Sequence, residues 1–165
     1  MYINSDWRIL TIGDGDLSFS GSILKHHKPK ALTATIYDDQ NILDTKYEEH
    51  CLELLSNNIC QVFTGIDVTN SETWSEKLER QFDVVFFQFP LIPAFTSAEE
   101  YQEKCQNVSM NTLHRCLLRK YLINCFKYFL DTNGAGLAFI TSKNVNPYRN
   151  WQIETTLTLN TDIHY

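Results

Sequence analysis

"ILTIGDGDLSFSGSIL", the stretch at residues 9–24, decides the fold. It opens with β-branched and apolar residues, which are typical of a buried strand. A turn is then predicted at Gly13, Asp14, Gly15 and Asp16, and residues 17–27 show a helix-like pattern. In α/β proteins a glycine-rich turn between a strand and a helix lets the backbone approach a ligand closely. Carboxylates on such a turn favour a cationic ligand over a phosphate.

The rest of the chain repeats the alternation of strand and helix. The predicted strands are at residues 8–13, 31–37, 60–68, 82–89 and 136–142. The predicted helices are at residues 17–27, about 41–55, 69–79 (from a Thr69/Glu72 capping box) and 113–130. This order predicts an α/β fold with a doubly wound, mostly parallel sheet. No repeat or linker divides it, so we expect a single domain over residues 1–165.

Composition and charge narrow the function. The chain has 165 residues and a formal net charge of −6, so it is not a general electrostatic partner for nucleic acid. Its five cysteines form no CxxC pair, which predicts reduced thiols, no metal site and a cytoplasmic protein. We see neither a signal peptide nor an apolar run of membrane-spanning length. His114 is predicted to be a lone surface histidine.

Acidic residues end the first three predicted strands. Asp38 follows Gly15 at about the 20-residue spacing of nucleotide sites, where such an acid accepts the ribose hydroxyls. Asp67 ends the third strand and can accept a hydrogen bond from an adenine amino group. Nicotinamide and S-adenosylmethionine sites share these features. Ser18 at the third glycine position and the acids on the first turn count against a pyrophosphate and favour S-adenosylmethionine.

Several motifs together resemble the ribosomal RNA uridine-N3 methyltransferase-like family. They are, in chain order, "TIGDGDLSFS", "LTATIYDD", "TKY", "GIDVT", "FDVVFFQFP" and "NPYRNW". The resemblance covers about residues 9–153, and the Ser-Phe-Ser of the first turn is its most specific part. It implies a Rossmann-like fold of the class I S-adenosylmethionine-dependent methyltransferase type. The implied reaction is methyl transfer to N3 of a uridine in large-subunit ribosomal RNA, in the cytoplasm or, in a eukaryote, the nucleolus.

The resemblance also implies the site residues. The cofactor-binding set would be Gly13, Asp14, Gly15, Asp16, Ser18, Phe19, Asp38, Asp67 and Val68. Gln88, Phe89 and Pro90 would lie beside the methyl group, and Phe89 or Tyr148 would stack on the target base. Lys143, Tyr148 and Arg149 follow the fifth strand and would bind RNA. The basic residues near Lys25 are better explained as a solvated helix end.

Two departures from the family pattern leave an alternative open. The family's Asn-Phe-Pro-His is Gln88-Phe89-Pro90-Leu91 in this chain, and Leu91 cannot act as a base. The C-terminal end has room for about one more strand where this methyltransferase class has two, so we expect a shortened sheet. A partner or a second copy would then complete its edge. The alternative is a degenerate methyltransferase fold that binds without catalysis.

Overall fold

A parallel sheet organises the protein, whose computed structural model describes residues 3–42, 59–74, 76–93, 95–105 and 108–164. Within those residues the strands are β1 (Arg8–Ile12), β2 (Ala31–Thr35), β3 (Cys60–Phe63), β4 (Val84–Gln88) and β5 (Leu137–Thr141). They lie in the order β3-β2-β1-β4-β5, and every pairing is parallel. The predicted α/β, Rossmann-like fold is confirmed.

Helices connect the strands. They are α1 (Ser18–His27), α2 (Ala98–Cys105), α3 (Met110–Asn124) and α4 (Ile153–Thr156). A π-helical turn, Cys125–Phe129, continues α3, and a 3-10 helix, Tyr148–Trp151, precedes α4. The helix predicted at about 41–55 lies almost entirely outside the described residues. Among the described helices, none has the length and apolarity needed to cross a membrane.

The capping box predicted at Thr69 and Glu72 is wrong. The Thr69 hydroxyl donates instead to Asp67 Oδ1, and the side chain of Asn70 accepts the Glu72 N–H. The segment forms two 3-10 turns, Ser71–Thr73 and Glu76–Leu78, in place of a helix.

Apolar residues cover both faces of the central strands. On one face Leu10, Val85 and Phe87 belong to a buried cluster that also contains Leu118 and Tyr121 of α3. On the other face a second buried cluster includes Ile9, Val84 and Phe86 of the sheet together with Ile23 of α1. Coverage on both faces explains why these strands are almost continuously apolar in sequence.

The third and fourth strands are shorter than predicted. Gly65 has a φ of +69°, and its N–H donates to Asp38 O at 2.9 Å, so the chain turns soon after β3 ends. Asp83 precedes β4 and accepts bonds from Arg8, which places the strand start at Val84. Because β1 lies beside both β2 and β4, the topological switch point falls between β1 and β4. Ligands in such sheets bind at the carboxyl ends of the strands near this point.

Candidate functional site

The turn after β1 requires a glycine at its first position. Gly13 has a φ of +60°, and a Cβ there would lie 3.2 Å from Phe87 Cε2. The N–H of Asp14 donates to Thr35 O at 2.9 Å, which holds the turn against the end of β2. The turn therefore sits at the switch point with its backbone close to β4.

The acids of this turn occupy the N-terminus of α1. Asp14 Oδ2 accepts the Ser20 N–H at 2.7 Å and also the Ser20 hydroxyl. Asp16 Oδ1 accepts the Ser18 N–H at 3.0 Å. These N–H groups are the ones that a phosphate would use at a helix N-terminus. The two carboxylates fill that position with negative charge, so the turn repels a pyrophosphate.

The two acids differ in accessibility. Asp14 is only 7% exposed, and burial raises the pKa of its carboxyl above the ordinary value, against the lowering effect of its bonds to Ser20. Asp16 is exposed at the surface of the turn. Asp16 is therefore the acid of this turn that a ligand reaches more directly, and Asp14 supports the turn from inside.

The ends of β2 and β3 lie beside this turn. The Asp38 side chain is partly exposed, and its carbonyl accepts the Gly65 N–H. Asp67 Oδ1 accepts both the N–H and the hydroxyl of Thr69 at 2.8 Å, so part of its carboxylate is committed to its own turn. Val68 is buried at 4% exposure, where it belongs to the core. Asp38 and Asp67 are both partly exposed at this edge of the sheet.

Tyr37 was not among the residues predicted to line the site. It directly precedes Asp38 and is 51% exposed at the end of β2. A large aromatic residue next to the acid at a strand end was the available signal. Its ring offers an apolar surface on the same edge of the sheet as the acids.

The segment after β4 carries a strained aromatic residue. Phe89 has a φ of +47° and is 47% exposed, and its N–H donates to Thr141 O at 3.0 Å. A bulky residue in the left-handed region costs free energy and clusters at functional sites. Gln88 before it is partly exposed, Pro90 after it is buried, and Leu91 is 58% exposed.

The predicted RNA-binding residues after β5 form a small group. Lys143 Nζ lies 5.7 Å from the ring centroid of Tyr148, which in turn meets Trp151 edge to face at 5.0 Å. Arg149 is exposed, and its guanidinium donates to the side chain and the carbonyl of Asn144. A cation and an aromatic ring therefore stand together beside the end of β5.

Most of the predicted site residues thus share one edge of the sheet. Ser18 is exposed at the start of α1. Phe19 differs, because its ring points into the core and meets Phe86 edge to face at 5.7 Å. Within the described residues, no group of three or more His, Cys, Asp or Glu side chains is arranged to hold a metal ion.

The prediction for His114 is wrong. The residue is 7% exposed, and its ring stacks on Trp151. This burial could not be predicted from neighbouring residues, because the partner ring of Trp151 lies far along the chain, beyond β5.

The comparisons with known proteins agree with the resemblance seen in the motifs. A search of curated proteins finds no match to this chain. The BMT5-like family model, described as rRNA (uridine-N3-)-methyltransferase BTM5-like, matches residues 10–164. That range includes the glycine-rich turn and the segments after every strand of the sheet. The chain belongs to the BMT5-like family of rRNA (uridine-N3-)-methyltransferases.

Proposed function

We propose that the protein is an S-adenosylmethionine-dependent methyltransferase that acts on N3 of a uridine in ribosomal RNA. The observation that carries the cofactor assignment is the occupied N-terminus of α1. The carboxylates of Asp14 and Asp16 bind the first N–H groups of that helix, where a dinucleotide would need to place its pyrophosphate. S-adenosylmethionine has no phosphate, and its ammonium and sulfonium groups are cations that suit an acidic turn.

The residues at the strand ends fit the rest of that cofactor. Gly13 lets the backbone of the turn approach a ligand, and Asp16 offers an exposed carboxylate to the ammonium. Asp38 offers its carboxylate to the ribose hydroxyls, with the ring of Tyr37 beside it. Asp67 can accept the adenine amino group through the carboxylate oxygen that does not bind Thr69. Phe19, whose ring packs in the core, would act through the position of α1.

The segment after β4 is the place for the target base. When bound, S-adenosylmethionine supplies a methyl group made electrophilic by its sulfonium. Phe89 presents an exposed ring on which a flipped uracil can stack. Gln88 carries an amide oxygen suited to accept the N3–H, and Pro90 fixes the backbone behind both. Alignment of N3 with the methyl carbon supplies most of the acceleration of methyl transfer, and the N3 proton is released to water.

The residues after β5 would bind the RNA backbone. Lys143 and Arg149 are exposed cations on the same edge as Phe89, and the Phe89 N–H bonds directly to the end of β5. An overall charge of −6 means that RNA binding must rely on a local group of this kind. A ribosomal substrate implies a cytoplasmic or, in a eukaryote, nucleolar location.

One observation favours a second function. Leu91 is 58% exposed at the site and stands where the family pattern has histidine, so it offers neither a base nor a hydrogen bond. A binding protein that keeps the cofactor site but has lost catalysis would show this. The two functions differ in methyl transfer and agree in cofactor binding.

Calorimetric titration with S-adenosylmethionine, S-adenosylhomocysteine and NAD tests the cofactor. We expect micromolar binding of the first two ligands and none of NAD. Asp38→Asn should weaken S-adenosylhomocysteine binding by about 1–3 kcal/mol, because hydrogen bonds to the ribose are lost. Asp39→Asn is the matched control, since the neighbouring Asp39 Oδ1 accepts the Ile42 N–H. Equal affinity of the two variants would remove Asp38 from the site.

A methyl-transfer assay tests the substrate. Transcribed large-subunit ribosomal RNA is incubated with the protein and the cofactor, and methylated uridines are identified by mass spectrometry. Lys143→Gln should weaken RNA binding. It should also lower the slope of the logarithm of the binding constant against the logarithm of the salt concentration by about one. Lys25→Gln, at the far end of α1, should change neither. Cofactor binding without methylation would favour the non-catalytic function.

A further inference from the structure

His114 is a buried polar residue that faces the site from α3. Its Nδ1 lies 2.8 Å from Met110 O, and its Nε2 accepts the N–H of Ile92 at 3.3 Å. A backbone N–H can only donate, so Nε2 carries no proton, and the Nδ1–H donates to the Met110 carbonyl. Both ring nitrogens are thus bonded to backbone groups, Nδ1 within α3 and Nε2 in the segment after β4.

The same ring also contacts the segment after β5. His114 and Trp151 stack with centroids 4.3 Å apart and planes 9° from parallel, and Trp151 is 2% exposed. Trp151 supports Tyr148, whose ring lies beside Lys143. A second contact follows the same path, because Arg115 donates to Asn150 O at 3.0 Å. His114 therefore joins the segment after β4 to the segment after β5.

We propose that His114 is a positioning residue for the methyl-transfer site, which holds Phe89 and Tyr148 in one relative arrangement. This inference rests on the proposed function. Ile92 lies three positions after Phe89, in a segment where Leu91 is exposed and Pro90 has no N–H to donate. The bond from Ile92 to His114 ties that segment to α3 and so fixes the direction in which the chain leaves Phe89.

Directional bonding distinguishes this role from simple packing. A leucine or phenylalanine would fill the volume beside Trp151, but neither would accept the Ile92 N–H.

Two variants separate the bond from the stack. His114→Phe keeps an aromatic ring against Trp151 and removes the acceptor, whereas His114→Gln restores an acceptor near the place of Nε2. We expect His114→Phe to lower kcat on transcribed large-subunit ribosomal RNA by about tenfold or more. The KM for RNA and the affinity for S-adenosylhomocysteine should stay within about twofold. His114→Gln should recover most of the rate.

Amide hydrogen exchange at Ile92 measures the protection of its N–H by His114, and it needs neither cofactor nor RNA. We expect its protection to fall by about tenfold in His114→Phe and to persist in His114→Gln. Unchanged Ile92 exchange or an unchanged kcat in His114→Phe would overturn the proposal. Absence of S-adenosylhomocysteine binding by the wild-type chain would instead count against the proposed function.

Discussion

The two ends of the parallel sheet are built for different purposes. At the amino end Arg8 lies between Asp83 and Asp131, with Nη2 at 2.9 Å and 2.8 Å from their carboxylates. Its Nε and its backbone N–H also donate to Asp83 Oδ2. At the carboxyl end the acids instead bind the N-terminus of α1, and Phe89 holds a strained backbone. The amino end carries an ion-pair network, and the carboxyl end carries acids at a helix N-terminus and an exposed aromatic ring.

The difference indicates where stability and function reside. Paired charges with several hydrogen bonds stabilise the fold, whereas acids and rings exposed at the carboxyl ends of the strands lie where ligands bind in such sheets. Substitutions at the amino end should therefore change the free energy of unfolding and leave ligand affinity alone. Those at the carboxyl end should change ligand affinity or turnover, whatever they do to stability.

The largest effect is expected for Asp83→Asn. The side chain of Asp83 is 13% exposed and accepts from Arg8 N, Nε and Nη2. An amide directs an N–H at the guanidinium, so we expect a loss of about 2 kcal/mol in the free energy of unfolding, measured with urea. The affinity of the folded protein for S-adenosylhomocysteine should not change.

Asp131→Asn is the control for that change. Asp131 makes one of the two ion pairs of Arg8 and is the more exposed partner, so its substitution should cost less stability. An equal loss in the two variants, or a fall in ligand affinity with Asp83→Asn, would contradict the division between the two ends.

Glycines with the same backbone conformation at opposite ends give the next comparison. Gly13 has a φ of +60° at the carboxyl end, and Gly136 has a φ of +65° just before β5 at the amino end. Alanine at either position should cost about 1–2 kcal/mol from the left-handed backbone alone. Gly13→Ala should lie at the upper end of that range, because its Cβ would meet Phe87, and Gly136→Ala at the lower end, because nothing lies within 4 Å of it.

Ligand affinity separates these two variants further. Only Gly13→Ala should weaken S-adenosylhomocysteine binding, as measured by calorimetry, since its turn lies at the switch point. If both variants lose affinity equally, the loss reflects general destabilisation and the turn has no special role.

Phe89 offers a smaller effect of the same origin, the cost of alanine relative to glycine at a positive φ. Glycine tolerates its φ of +47° and alanine does not, so Phe89→Gly should be more stable than Phe89→Ala by about 1 kcal/mol. Both variants lose the ring and should lose most methyl transfer to RNA, with S-adenosylhomocysteine affinity retained. Equal stability of the two variants in urea would show that Phe89 is not strained. Retained methyl transfer would remove the ring from the site.

The sequence predicted the parts of the molecule that depend on neighbouring residues. Apolar runs located the strands, and the glycine-rich turn predicted a candidate site, because both signals are local. Contacts between distant residues could not be predicted in this way. Arg8 meets Asp83 and Asp131, and His114 stacks on Trp151, only after the sheet has formed.

A local signal also failed where a neighbour competed for the same atom. Thr69 and Glu72 have the spacing of a capping box, but Asp67 takes the Thr69 hydroxyl and Asn70 takes over as the cap. The ends of the strands also differ from the prediction. The Gly65 N–H donates to the Asp38 carbonyl where the chain turns after β3, and Asp83 binds Arg8 just before β4 begins. These bonds depend on residues that are distant in sequence.

The free energy of unfolding should depend on pH differently at the two ends of the sheet. At any single pH this is the smallest of the expected effects. Hydrogen bonds from Arg8 lower the pKa of Asp83, so its contribution is complete above the ordinary carboxyl pKa of about 3.9 and is lost as pH falls through the lowered value. Burial raises the pKa of Asp14, so the folded state holds its proton more tightly. Stability from that group is present at low pH and is lost as pH rises through the raised value.

Unfolding in urea across a pH series, for the wild-type chain, Asp14→Asn and Asp83→Asn, tests both signs. The Asp83→Asn curve should converge on the wild-type curve as pH falls, because the wild-type chain then loses the same interaction. The Asp14→Asn curve should gain on the wild-type curve as pH rises, because the variant has no buried charge to form while its amide oxygen can still accept the Ser20 N–H. Curves that run parallel at all pH values would mean that these carboxylates titrate alike in the folded and unfolded chains.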